Sequence, residues 1–294
     1  MQQKSGRNIL LKIAYDGTGY IGWQRQPKWR GTSVQQQLEQ AISRALSEPV
    51  SLFGSGRTDA GVHALAQYAN FFTEKSIPCS KLVFAVNNLL PSSIRVLLAR
   101  EVAADFSARF SAHEKTYRYT IVSAPPSIFT ARYVWQRPPL DLEKMQSAAQ
   151  ILVGAHDFAA FTVKGYSSES TVRCVSAAKV FSVPDISAQK SFLGNRISPK
   201  NYEHNGAVLS GEENFLGFPW QSLPAAVVIE VTANGFLYKM MRLIAARLVK
   251  VGLVAQPVSQ IESLLGGKTL PPVPPAPPHG LMLLNVDYGD LLNT

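Results

Sequence analysis

The chain has almost no cysteine: two in 294 residues, Cys79 and Cys174, far apart in sequence. That excludes a disulfide framework and a C-x-x-C metal pair, and it fits a reducing, cytoplasmic setting. Acidic residues are in short supply, 20 against 29 lysines and arginines, which leaves a formal net charge of +9. A surplus of that sign suits a polyanionic partner, nucleic acid first. Long apolar runs are missing as well. No stretch reaches the roughly 18 consecutive apolar residues of a membrane span. The opening Met1-Gln2-Gln3-Lys4-Ser5-Gly6-Arg7 lacks the apolar core of a signal peptide. There is no P-loop and no dinucleotide fingerprint. No two of His63, His113, His156, His204 and His279 stand at metal-ligand spacing. The expectation is a protein with no metal, no cofactor and no membrane attachment.

A sizeable core is present in compensation. Hydrophobic residues make up 46% of the sequence, and 294 residues can bury one large domain or two smaller ones. Residues 9–15 read as a strand ending in the turn Asp16-Gly17-Thr18-Gly19. Ser33 and Gln36 form a capping pair that opens a helix through Leu46. Short strands are expected over 50–53 and 63–72, a helix over 81–89 and a strand over 94–102. Beyond a polar bridge at 106–112, strands are expected over 116–122, 171–183, 226–232 and 281–286. Helices are expected from Asp141 to about 153, over 235–251 and over 258–265. Residues 271–278 are proline-rich and cannot form regular structure. The second series roughly repeats the first. The fold class is therefore α+β, with one half over 1–107, a second over 108–294, and an irregular insertion at about 184–224.

The densest chemical signal is Ser55-Gly56-Arg57-Thr58-Asp59-Ala60-Gly61-Val62-His63-Ala64. It sets a carboxylate between a cation and a histidine in a loop that glycines let bend and approach a ligand. A positioned carboxylate can serve as nucleophile, general base or electrostatic stabiliser. This run resembles the catalytic loop of the tRNA pseudouridine synthase A family. Further segments match: Tyr15-Asp16-Gly17-Thr18-Gly19-Tyr20 with Gly22-Trp23-Gln24-Arg25-Gln26, then Lys115-Thr116-Tyr117-Arg118-Tyr119, then Gly235-Phe236-Leu237-Tyr238-Lys239-Met240-Met241-Arg242.

The resemblance spans residues 9 to about 286, apart from the insertion. It implies a pseudouridine synthase fold of two ferredoxin-like halves, whose mainly antiparallel sheets join around a basic cleft. It also implies isomerisation of uridines in the tRNA anticodon stem-loop, without cofactor, by a homodimer. Asp59 is then the catalytic carboxylate and Tyr117 the active-site aromatic. Arg242 is the helix arginine that pairs with the aspartate, and Leu281 lines the pocket. Arg57 is placed to meet a target phosphate or help open the helix, and Asp16, Gln24 and Arg25 become RNA contacts. Two other classes compete: a non-catalytic RNA-binding protein on the same fold, and a glycosidase using Asp16 and Asp59 as paired carboxylates.

Overall fold

The computed structural model describes residues 6–163, 170–183 and 226–292. The insertion expected at about 184–224 and His204 lie outside the described residues. The chain opens with β1 (Arg7–Tyr15), apolar and buried on both faces as a central strand requires. Next comes α1 (Val34–Leu46). Ser33 caps it, its hydroxyl accepting from the Gln36 amide at 3.2 Å. Val34, Leu38, Ala41, Ile42 and Leu46 form its buried stripe.

The strand expected over 50–53 is only β2 (Phe53–Gly54). The Val50 and Leu52 amides donate instead to Ser43 Oγ at 2.9 Å and Glu39 Oε1 at 3.0 Å, both on α1. Those amides have no ladder left to join. There follow β3 (His63–Thr73), α2 (Cys79–Asn87), β4 (Ile94–Val102), β5 (Glu114–Val122) and the short β6 (Trp135–Gln136). Asp141 caps α3 (Leu142–Gln150), whose end tightens into i→i+3 bonds from Leu152 and Val153. Then come β7 (Gly154–Asp157), unannounced in the sequence, β8 (Val172–Val183) and β9 (Ala226–Ala233).

The long helix expected from residue 235 begins later, as α4 (Met240–Gly252). Lys239 takes φ +60, a left-handed turn that right-handed helix cannot include, so 235–239 form a bend ahead of it. α5 (Ser259–Leu265) and β10 (Leu281–Asp287) follow, and a single 3-10 turn (Gly289–Leu292) comes after them.

Among the described residues the strands form one ten-stranded sheet in the order β4-β1-β3-β10-β5-β9-β8-β7, with β2 on β3 and β6 on β5. Pairing is antiparallel except for β10 with β3 and β6 with β5. The fold is α+β with a joined, mostly antiparallel sheet, as expected. Its joint is the last strand of the chain. β10 pairs parallel with β3 at Met282↔His63 and antiparallel with β5 at Leu281↔Tyr119. That insertion sets the start of β3, the start of β10 and the middle of β5 side by side. One continuous apolar core runs beneath them, from Ile9 to Tyr288.

Candidate active site

The loop before β3 is held from below by the segment after β1. The Trp23 amide donates to the Thr58 carbonyl at 3.1 Å, and the Gly61 amide to the Tyr20 carbonyl at 3.3 Å. The Tyr15 and Thr58 hydroxyls share a hydrogen bond of 2.8 Å in the core. Gly22 makes this contact possible. Its φ is +104, and a Cβ there would stand 2.6 Å from the Thr58 carbonyl oxygen and 3.0 Å from the Asp59 carbonyl carbon. Asp59 thus sits at the tip of a braced turn, closed by the Val62 amide donating to its carbonyl at 3.2 Å. Its side chain is 21% exposed.

Arg242, in the first turn of α4, reaches that carboxylate. Its Nη1 donates to Asp59 Oδ2 at 2.8 Å, and its Nε donates to the Ala276 carbonyl at 2.7 Å. The Ala276 amide returns a bond to the Arg242 carbonyl at 3.1 Å. The guanidinium is therefore aimed by the proline-rich segment, whose rigid φ angles keep its carbonyls in place. A charge-assisted bond this sheltered fixes the direction of the carboxylate. Met240 and Met241 beside it are buried in the core.

Side chains at alternate positions of β5 face the same way, which puts Lys115, Tyr117 and Tyr119 on one side. Tyr117 packs edge-to-face on Phe236, with ring centroids 4.8 Å apart. Burial first, then the neighbouring Tyr15 and Asp59, raise its phenol far above the ordinary value, so it stays protonated. Asp59 is thus within electrostatic reach of the phenol. Its hydroxyl has no hydrogen-bond partner among the described residues. The ring is 7% exposed, so little of its face is open in this state. Tyr119 donates to the Pro277 carbonyl at 2.7 Å. A Cβ on Gly280 would meet the Tyr119 ring at 2.7 Å, so only glycine lets β10 start here. Leu281 follows it, buried beside Tyr119.

Asp59, Arg242, Tyr117 and Leu281 are thus brought to one place by the β3–β10–β5 joint. Arg57 projects from the same loop, exposed, with no carboxylate within 4 Å among the described residues. Gln24 is half-buried, and Arg25 is well exposed, 3.6 Å from Glu39.

Asp16 is committed elsewhere. It accepts from the Tyr133 hydroxyl at 2.8 Å and from the Thr18 amide at 2.9 Å. Burial works to raise its carboxyl, but the groups around it outweigh that and hold it well below the usual carboxylate range; the Arg132 guanidinium also stands 3.7 Å from Oδ2. The His63 ring is oriented by two backbone groups. Arg132 O can only accept, so Nε2 carries hydrogen at 3.0 Å. The Gly17 amide can only donate, so Nδ1 accepts at 3.0 Å. In that tautomer Asp16 Oδ1, 3.1 Å from Nδ1, is a neighbour and not a hydrogen-bond partner. The Tyr133 and Thr18 bonds, not the histidine, are therefore what hold Asp16 charged. With its oxygens occupied this way, Asp16 is a poor second carboxylate for a glycosidase.

Sequence reasoning assigned no role to Lys115, Phe236 or Ala276. The two-residue spacing of Lys115, Tyr117 and Tyr119 was a usable signal for the first. Nothing local marks the other two, because each acts through a contact distant in sequence.

A profile of the family described as tRNA pseudouridine synthase matches residues 12–111 and 148–289. A tRNA pseudouridine synthase A of Thermoanaerobacter sp. (strain X514) is 37% identical over 285 residues, covering 96% of this chain and all of the relative. The protein of that name from Caldicellulosiruptor saccharolyticus is 38% identical over 292 residues, covering 96% of this chain and all of the relative. That of Nitrosomonas eutropha is 39% identical over 284, covering 95% of this chain and 87% of the relative.

Proposed function

The chain belongs to the tRNA pseudouridine synthase family, and on that premise we propose that Asp59 is the catalytic carboxylate of an isomerase acting on uridines in the tRNA anticodon stem-loop. The observation that carries this reading is the Asp59–Arg242 pair within electrostatic reach of Tyr117, whose hydroxyl has no hydrogen-bond partner among the described residues. Isomerisation breaks the bond between N1 and C1′, turns the base, and joins C5 to C1′. The C5 proton leaves and N1 gains one, so no oxidant, reductant or group donor enters. A carboxylate aimed at the sugar or base is the reacting group such a sequence of steps needs. Arg242 keeps it aimed and offsets its charge. Tyr117 and Leu281 supply an aromatic and an apolar wall for the detached base.

Arg57 and Arg25, both exposed, and Gln24, half-buried, would meet RNA phosphates or bases. Asp16 acts indirectly, by tying the loop after β1 to Tyr133. The target base must leave its stack to reach a side chain on this loop. In this reading the halves 1–107 and 108–294 cooperate: the first brings Asp59, the second Tyr117, Arg242 and Leu281. The working form is a cytoplasmic homodimer. Sedimentation of the free protein tests this, and a monomer at micromolar concentration rejects it.

The decisive experiment is release of tritium from C5-labelled uridine in a tRNA transcript. Release by the wild type and none by Asp59→Ala, with both binding the tRNA, is the expected result. Tight binding with no release by either protein favours the RNA-binding reading instead.

A further inference from the structure

Lys115 lies two residues from Tyr117 on the same face of β5, yet its ammonium does not point to an acid. Its Nζ donates to the Ser55 carbonyl at 2.7 Å, at the base of the loop that carries Asp59. A Cβ on Gly56 would stand only 3.2 Å from Nζ, so the bare glycine is what lets the ammonium sit against the loop. An ammonium has three N–H donors, and one is spent here. No carboxylate lies within 4 Å of Lys115 or Arg109 among the described residues. Arg109 is exposed, its guanidinium over the Phe110 ring at 5.1 Å and within electrostatic reach of Lys115.

We propose that Lys115, assisted by Arg109, anchors a backbone phosphate of the RNA substrate beside the Asp59 loop. This rests on the reading of the chain as a tRNA-modifying enzyme. A half-buried ammonium without an anion is costly, and a second cation nearby makes it costlier. A phosphate oxygen taking the two spare donors relieves both at once. Burial first, then Arg109, already push the amine down to about 8, as expected of a cation awaiting its anion. A phosphate held there is linked to Asp59 through four residues of braced loop, so seating the backbone also sets where the sugar lies relative to the carboxylate.

The test compares Lys115→Met with Lys115→Arg on tRNAs assembled by ligation, each carrying one neutral methylphosphonate near the target uridine. In the wild type, one position should weaken binding roughly ten- to hundredfold. The same position should have no effect in K115M, while K115R keeps the sensitivity. The slope of log affinity against log salt should fall by about one phosphate contact in K115M. If every methylphosphonate weakens K115M as much as the wild type, the proposal is overturned. Should K115M fail to fold, Arg109→Met, on an exposed side chain, carries the same comparison. A wild type that forms no pseudouridine would instead overturn the underlying enzymatic reading, so the two failures are distinguishable.

Discussion

Arg242 Nη1 stands 2.8 Å from Asp59 Oδ2, an ion pair between residues 183 positions apart. It spans the joint of the sheet, because Asp59 precedes β3 and Arg242 sits behind the strands of the second half. Both side chains are mostly sheltered, 21% and 13% exposed, so water screens the pair only partly. Its worth lies in direction as much as in energy. The Ala276 carbonyl takes Nε, which leaves Nη1 a narrow range of positions and the carboxylate one partner to follow.

Substitutions at the two ends of this pair should therefore differ in kind. Asp59→Asn is nearly isosteric and should keep fold and tRNA affinity while turnover falls on the order of 10⁴-fold or more, as loss of a reacting group does. Arg242→Met removes the aim and leaves a half-buried carboxylate unpaired. Turnover should fall about 10²–10³-fold, with a lower melting temperature. Arg242→Lys keeps the charge but cannot serve Ala276 and Asp59 together, so it should rescue stability better than activity. Equal activity in Arg242→Lys and wild type would show that the fork geometry is irrelevant.

Gly22 is the second test of the loop. Alanine there would combine a positive φ with a Cβ 2.6 Å from a backbone oxygen that cannot swing aside. The expected cost is about 2–4 kcal/mol, read as a melting temperature several degrees lower. Because the displaced atoms belong to Thr58 and Asp59, turnover should fall even at temperatures where the variant is fully folded. A variant as active as the wild type would mean the loop is positioned from elsewhere.

Local chemistry made most of this arrangement legible. The capping of α1 by Ser33, the stripe along α1 and the alternation in β4 each follow from spacing within a dozen residues. What escapes the sequence is a contact or a backbone angle that residue type and periodicity do not signal. Val50 and Leu52 look like a strand, but their amides find Ser43 and Glu39 on α1. The bend ahead of α4 depends on Lys239 adopting φ +60, for which a lysine gives no sign. The wedge of β10 between β3 and β5 is set by Gly280 against Tyr119, a contact across more than half the chain. Asp59 stands out by its glycine-bracketed loop as well as by resemblance, whereas Tyr117 and Arg242 are marked only by resemblance of the segments around them. Their meeting is a property of the joined sheet that no one segment encodes.

Tyr117 separates packing from chemistry. Tyr117→Phe keeps the edge-to-face contact with Phe236 and removes only a hydroxyl that has no partner among the described residues. It should fold with the stability of the wild type or slightly better, since no bond is lost. Tyr117→Ala removes the ring as well and should weaken handling of the base by about 1–3 kcal/mol. If Phe is as inactive as Ala, the hydroxyl takes part in the chemistry. If Phe is close to wild type, the ring alone matters.

Lys115 makes binding and stability respond to alkali in opposite directions. Its amine titrates near 8 in the folded protein, because of burial and then Arg109, against 10.5 for an ordinary lysine. Between those values the unfolded chain holds a proton that the native chain has released, so raising the pH through this window stabilises the fold. The phosphate, in contrast, needs the charged form. Binding raises the lysine's proton affinity, so tRNA affinity should be flat below pH 8. Above it, affinity should fall about tenfold per pH unit until the phosphate-bound amine itself titrates. General alkaline damage would lower stability and affinity together. Lys115→Arg stays charged throughout, so its affinity should be level from pH 7 to 9.5. Binding isotherms and thermal melts of the two proteins over that range decide the matter, and parallel affinity curves for both would remove Lys115 from the phosphate site.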